Sequence, residues 1–166
     1  MSYLGEKTKK QKGYPFAGWL LFIYLIVLLY ITLFAWNYGA SLGNEGPGGR
    51  NYNLSPFYSI YRIYEYGTLS MKINILLGNV LLFVPFGFLL PFFRERFKTS
   101  KKAVRFMPVV FLATILSFFI EINQFIFTQR VANVDDVILN TSGAVIGFLL
   151  YRAIRGIVTR TSISIK

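Results

Sequence analysis

Residues 106–153 read FMPVVFLATILSFFIEINQFIFTQRVANVDDVILNTSGAVIGFLLYRA. This stretch holds two apolar runs, about 106–128 and 134–153, separated by a few residues around Arg130 and Asn133. Each run is close to the roughly 20 residues that a helix needs to cross a hydrocarbon core about 30 Å thick. Inside lipid the backbone must satisfy its own hydrogen bonds, so both runs are read as helices. A link this short forces them into an antiparallel hairpin.

Two further runs of the same kind occur at about 15–36 and 72–93. The chain is therefore expected to be an all-α membrane protein, a bundle of four transmembrane helices. Its basic residues sort by side. Lys7, Lys9, Lys10 and Lys12 precede the first run. Arg94, Arg96, Lys98, Lys101, Lys102 and Arg105 join the second and third, and Arg152, Arg155, Arg160 and Lys166 follow the fourth. Only Arg50, Arg62, Lys72 and Arg130 are left for the opposite side. The positive-inside rule then puts both termini in the cytoplasm. This gives a basic N-terminus over 1–14, a membrane domain over 15–153 and a basic tail over 154–166.

Composition agrees with this. Of 166 residues, 54% are hydrophobic and 15% charged, against about 25% charged in soluble domains. The net charge of +11 follows from topology and lies near anionic headgroups, so nucleic acid is not expected as a partner. The chain has no cysteine and no histidine. That removes disulfides, thiol nucleophiles and the usual zinc ligands, so neither a metal nor a cofactor is expected. Acid–base chemistry would fall to carboxylates, lysine, tyrosine or water. The first run is too long for a signal-peptide core and lacks a small-residue cleavage site, so it reads as a retained helix ending in the aromatic belt Trp36-Asn37-Tyr38.

The segment 37–71 is expected outside the cell. Its glycines at 43, 46, 48 and 49 with Pro47 make a loop, and Tyr58–Tyr66 is aromatic and amphipathic, an interfacial helix or a rim over a site.

Helical spacing sorts the polar residues within the runs. Thr114, Ser117, Glu121, Gln124 and Thr128 follow steps of 3, 4, 3 and 4, which puts them on one face. Thr114 and Ser117 read as helix–helix glue; a carboxylate at Glu121 is too costly in a membrane for glue alone. Asp136, Asn140, Gly143 and Gly147 share a face of the fourth run, at steps of 4, 3 and 4. Asp135 points about 100° away; either Asp135 or Asp136 can be the N-terminal helix cap and dipole partner, with Asp135 favoured for the cap and Asp136 for the site. Gly143 and Gly147 form a small-residue seam for a close helix neighbour, within the chain or in a homo-oligomer. In the second run Asn79 lies at a depth comparable to Glu121, and Asn74 nearer the surface. Pro85 frees the carbonyl of Leu81 and is expected to kink that helix. Asn79, Glu121, Gln124, Arg130, Asp136 and Asn140 thus gather at one depth as the candidate site, with Arg130 either neutralising the carboxylates or binding an anionic group.

These residues also spell a family pattern. It runs from Asn53-Leu54-Ser55-Pro56-Phe57 through Gly78-Asn79-Val80-Leu81-Leu82-Phe83-Val84-Pro85-Phe86-Gly87 to Glu121-Ile122-Asn123-Gln124. It continues with Arg130 and with Asp135-Asp136-Val137-Ile138-Leu139-Asn140-Thr141-Ser142-Gly143-Ala144, then Gly147. The order and spacing resemble the VanZ-like membrane proteins over nearly the whole chain after the basic N-terminus. The resemblance implies a multi-pass protein of the bacterial cell membrane, in a family whose founding members are linked to resistance to glycopeptides such as teicoplanin, a lipid-tailed drug. It supplies no biochemical activity.

Two functions fit these residues. The first is a non-enzymatic protein whose outward polar pocket binds a lipid-linked cell-wall precursor or a lipoglycopeptide among the membrane lipids. The second is an intramembrane hydrolase or transferase on an envelope precursor. There Glu121 would be the general base and Asp136 would orient it or hold a cation with Asn140. No nucleophile motif supports the second, and binding is the favoured reading.

Overall fold

A computed structural model describes residues 15–34, 52–97, 104–127 and 131–164. The helices are α1 (Pro15–Leu29), α2 (Tyr58–Tyr66), α3 (Leu69–Met71), α4 (Gly78–Phe97), α5 (Phe106–Phe127) and α6 (Val134–Ser164). Two-residue strands β1 (Tyr52–Asn53) and β2 (Ala132–Asn133) pair in parallel, Tyr52 opposite Ala132 and Asn53 opposite Asn133. A π-helical turn, Tyr30–Phe34, ends the first helical run, and another, Lys72–Leu77, links α3 to α4. The expected N-terminus 1–14, the belt at Trp36, the glycine-rich part of the loop and Arg130 lie outside the described residues.

Four helical stretches are long and apolar enough to cross a membrane: Phe16–Phe34, Leu69–Glu95, Phe106–Phe127 and Val134–Thr161. This is the expected number, with two differences in extent. The second stretch begins at Leu69 rather than near 72, because Thr68 supplies an N-cap whose hydroxyl accepts the N–H of Met71 (3.3 Å). The fourth continues past 153 to Ser164, since no proline follows and Ile154, Ile157 and Val158 prolong the apolar run. The outward faces stay apolar: Phe22, Ile26, Phe111, Phe118, Leu149 and Ile157 are all exposed, as a lipid-solvated bundle requires.

The bundle is organised by one contact. Helices α4 and α6 run parallel with their backbones touching. A Cβ at Gly143 would lie 2.0 Å from Val80 O, one at Gly147 2.0 Å from Val84 O, and one at Gly87 inside van der Waals range of Ala144 O. The seam read from Gly143 and Gly147 is filled by α4 of the same chain. So close an approach aims Cα–H groups at the facing carbonyls, a weak attraction that recurs between helices. At one end of this pair the Tyr151 hydroxyl (2.5 Å) and Arg155 Nε (2.6 Å) both donate to the Glu95 carboxylate.

The core beside the seam contains Leu28, Phe83, Phe86, Ala113, Ile120 and Ala144. Helix α4 runs unbroken through Pro85 and Pro91. In the turn that Pro85 disturbs, the Tyr24 hydroxyl donates to Leu82 O (2.7 Å) and ties α1 to α4.

The seam makes a direct prediction. Gly147→Ala meets backbone on both α4 residues beside it, Val84 and Phe88, and should cost about 1–3 kcal/mol through forced separation of the helices. Gly156→Ala, with nothing within 4 Å of the added carbon, should be neutral or slightly stabilising. Thermal unfolding of both variants in the same detergent checks the contrast.

Candidate functional site

The polar residues of α5 and α6 form a ladder that closes the hairpin. At its lowest rung Thr114 and Thr141 share a hydrogen bond (3.2 Å). Next, Asn140 Nδ2 donates to Ser117 Oγ (2.8 Å), and at the top the Glu121 carboxylate accepts the backbone N–H of Asn133 (2.8 Å). Gln124 turns the other way: its Nε2 donates to Thr32 O (2.8 Å), a carbonyl in the π-helical turn after α1. A π turn shifts the i→i−4 ladder and leaves carbonyls for outside donors; here Gln124 supplies one.

Above the ladder sits a layer that the spacing analysis did not build. Asn133 is the N-cap of α6, its Oδ1 accepting the N–H of Asp135 (3.1 Å). Its Nδ2 reaches toward Asp136 Oδ1 at 3.4 Å, a long contact. Asn53, 1% exposed, donates to both Asn133 Oδ1 (3.0 Å) and Ser59 Oγ (2.9 Å), and its own Oδ1 accepts Ser55 N (2.9 Å). That last bond is an Asx turn, which starts the chain toward α2.

The sequence favours Asp135 as a cap for its own helix, and the structure corrects this. It lies within the first turn of α6, fully buried, and its carboxylate caps α2 instead. Oδ1 accepts Phe57 N (2.5 Å), while Oδ2 accepts Ser59 N (2.7 Å) and Ile60 N (3.2 Å). These are N–H groups that a helix start leaves without intrahelical partners. The residue ahead of α2, Phe57, offers no side-chain cap and sits at φ 66°. A bulky residue with positive φ is strained, so the charge-assisted bonds of Asp135 hold a turn that the local sequence disfavours.

The candidate residues thus divide by what their atoms are spent on. Glu121 and Asp136 meet through Asn133, Gln124 joins α5 to the end of the first span, and Arg130 lies outside the described residues. Asn79 and Asn140 differ. Among the described residues, Asn79 Nδ2 and Asn140 Oδ1 are buried side-chain atoms with no hydrogen-bond partner. Asn79 stands one turn before Phe83 on α4, and Asn140 one turn before Ala144 on α6; both of those residues belong to the same core cluster. One free donor and one free acceptor therefore overlie the same core, at the end of the bundle that carries α2.

Among the described residues, no three His, Cys, Asp or Glu side chains gather as a metal site. Asn53, Ser59 and Asn133 are the residues whose roles spacing analysis missed. The available signal was Asn53-Leu54-Ser55 ahead of a helix, an Asx-turn pattern, with Asn133 two residues before Asp135.

The chain matches the VanZ/LLP1 family over residues 21–155. It is 33% identical over 132 residues to Protein VanZ of Enterococcus faecium, covering 80% of this chain and 71% of that protein. No solved structure matches it.

Asp135→Asn places an amide group against donors that need acceptors. The expected loss is about 2–3 kcal/mol, as for a hydrogen bond to a charged group. Hydrogen exchange should show lost protection at Phe57, Ser59 and Ile60 while the four long helices stay protected. Unchanged protection at those three amides would contradict the capping role.

Proposed function

Since this chain belongs to the VanZ/LLP1 family of membrane proteins, we propose that it binds a lipid-linked cell-envelope molecule or a lipoglycopeptide at the α2 end of the bundle. Binding there would contribute to resistance of the teicoplanin type. The observation that carries the reading is a pair of buried atoms without a partner among the described residues, Asn79 Nδ2 and Asn140 Oδ1. Leaving such atoms unpaired costs about 1–3 kcal/mol each, a cost that a ligand offering one acceptor and one donor would offset. The rest of the polar cluster is spent on structure: Glu121 on Asn133, Gln124 on Thr32 and Asp135 on α2. That pattern fits a preformed, rigid receptor better than a reactive centre.

The site opens outward in this reading, with both termini in the cytoplasm and α2 lying along the outer membrane surface. The positive-inside distribution of Lys and Arg supports that orientation. The chain has no cysteine, so single replacements report it directly. Arg50→Cys should label with an impermeant reagent in whole cells, and Ser100→Cys only after permeabilisation.

Function and stability should separate at Asn79. Asn79→Leu removes an unsatisfied buried donor, so thermal stability should hold or rise. In a teicoplanin-sensitive host the wild-type protein should raise the inhibitory concentration of teicoplanin, and the Asn79→Leu variant should lose that gain. A variant that keeps full resistance would sink the pocket. Glu121→Gln keeps an acceptor for Asn133 N while removing a base. Retained resistance supports binding; loss of resistance with lipid still co-purifying in native mass spectrometry supports an intramembrane hydrolase or transferase.

A further inference from the structure

A second feature lies apart from the unpartnered asparagines. A cavity of about 220 Å³ opens between α2, α3 and the residues entering α6. Tyr58, Arg62 and Tyr66 line one wall, spaced four residues apart along α2, and Met71, Val131 and Asn133 line the other. Drug-sized ligands occupy pockets of about 300–1,000 Å³, so this one suits a headgroup and excludes the bulk of a glycopeptide.

The chemistry of the wall selects the charge of the ligand. The Arg62 guanidinium stacks over the Tyr58 ring, 5.8 Å from its centroid, and donates to the Tyr58 hydroxyl at 3.5 Å. Its charge meets no carboxylate among the described residues. An aromatic face holds the planar fork in place while leaving its other N–H groups free, the arrangement that guanidinium uses for phosphate. Lys72, held 5.3 Å over the Tyr64 ring, lies outside the cavity wall, which leaves Arg62 as the cation that faces a ligand.

Position selects the source of the anion. Met71, in the cavity wall, lies in the first turn of the apolar stretch Leu69–Glu95. The guanidinium and the tyrosines therefore stand where a membrane span begins, the level at which lipid headgroups and tyrosine-rich belts meet. Further along the same span Ile73, Leu77 and Leu81 are exposed apolar residues at steps of four, a surface along which an acyl chain can lie.

We propose that this cavity is a binding site for the phosphate-ester headgroup of a membrane lipid, with Arg62 as the anion-binding cation, Tyr58 and Tyr66 as flanking hydroxyl donors, and the Ile73–Leu77–Leu81 row carrying the tail. The site shares no ligand-binding residue with the asparagine pocket, so it stands whether or not that pocket binds an envelope molecule.

The test uses the full-length protein in a neutral maltoside detergent, with bound lipid counted by native mass spectrometry. The probes are dioctanoyl phosphatidic acid, dioctanoylglycerol, which lacks the phosphate, and glycerol 3-phosphate, which lacks the tails. Phosphatidic acid should bind in a single saturable step, with both other probes at least about tenfold weaker. Arg62→Gln should weaken phosphatidic acid by about tenfold or more, as expected for losing charged hydrogen bonds. Arg62→Lys should recover part of that loss, and Arg160→Gln, an exposed cation on another helix, should change nothing. Equal binding by wild type and Arg62→Gln, at matched thermal stability, overturns the site. Dioctanoylglycerol binding as well as phosphatidic acid overturns the role of the phosphate. Glycerol 3-phosphate binding as well as phosphatidic acid reassigns the cavity to a soluble anion and overturns the lipid.

Discussion

A single carboxylate, Asp135, holds one end of this protein together. It is fully buried and its partners are three backbone N–H groups at the start of α2. Burying an isolated carboxylate is expensive, so its position is tolerable only while α2 stays docked. The dependence is mutual, because Phe57 holds a positive φ that no local side-chain cap supports. Around this bond the asparagines fall into order. Asn133 caps α6 and so fixes where Asp135 points, and Asn53 grips Asn133 from the strand leading to α2. The parallel β1–β2 pairing joins the same two segments through their backbones. The result is a lid of short elements clamped on a membrane bundle through one acid and two amides.

Beneath the lid, the glycine seam sets how deep the polar groups lie. Because Gly143 and Gly147 let α6 touch α4, Asn140 and Asn79 are carried to the top of one core rather than held apart by larger side chains. The ladder of Thr114–Thr141, Ser117–Asn140 and Glu121–Asn133 then fixes α5 against α6. Polar atoms inside a bundle can serve as glue or as a site, and here the hydrogen bonds distinguish the two. Ser117, Glu121 and Gln124 are committed to helix contacts. Among the described residues, Asn79 Nδ2 and Asn140 Oδ1 are the buried amide atoms left unmet, and the proposed ligand would meet them.

The four long helices and the hairpin were legible because length, hydropathy and a short link leave few alternatives in lipid. The one-face placement of Ser117, Glu121 and Gln124 was legible too, since each is buried along α5 and helical period alone requires it. Asp135 shows where such reading stops. Period places a residue on its own helix but carries no information about a partner 75 to 78 residues away. The early start at Leu69 needed Thr68 to be recognised as a cap, and two-residue strands are too short to leave a pattern. Arg62 went unassigned because on α2 it reads as one more charge on an amphipathic surface; only the cavity beside it gives it a direction.

The bond between Phe57 and Asp135 also has a consequence in time. Its two ends are separated by 78 residues of chain. At about 5–20 residues per second, the ribosome takes roughly 4 to 16 seconds to travel that distance. Throughout that interval the segment leading into α2 exists without its capping carboxylate, while the second and third long helical stretches are being made. The cap can form only once Asp135, in the first turn of the last long helix, has been made. Docking of α2 therefore waits on the start of the final helix, although α2 itself is made before three of the four long helices.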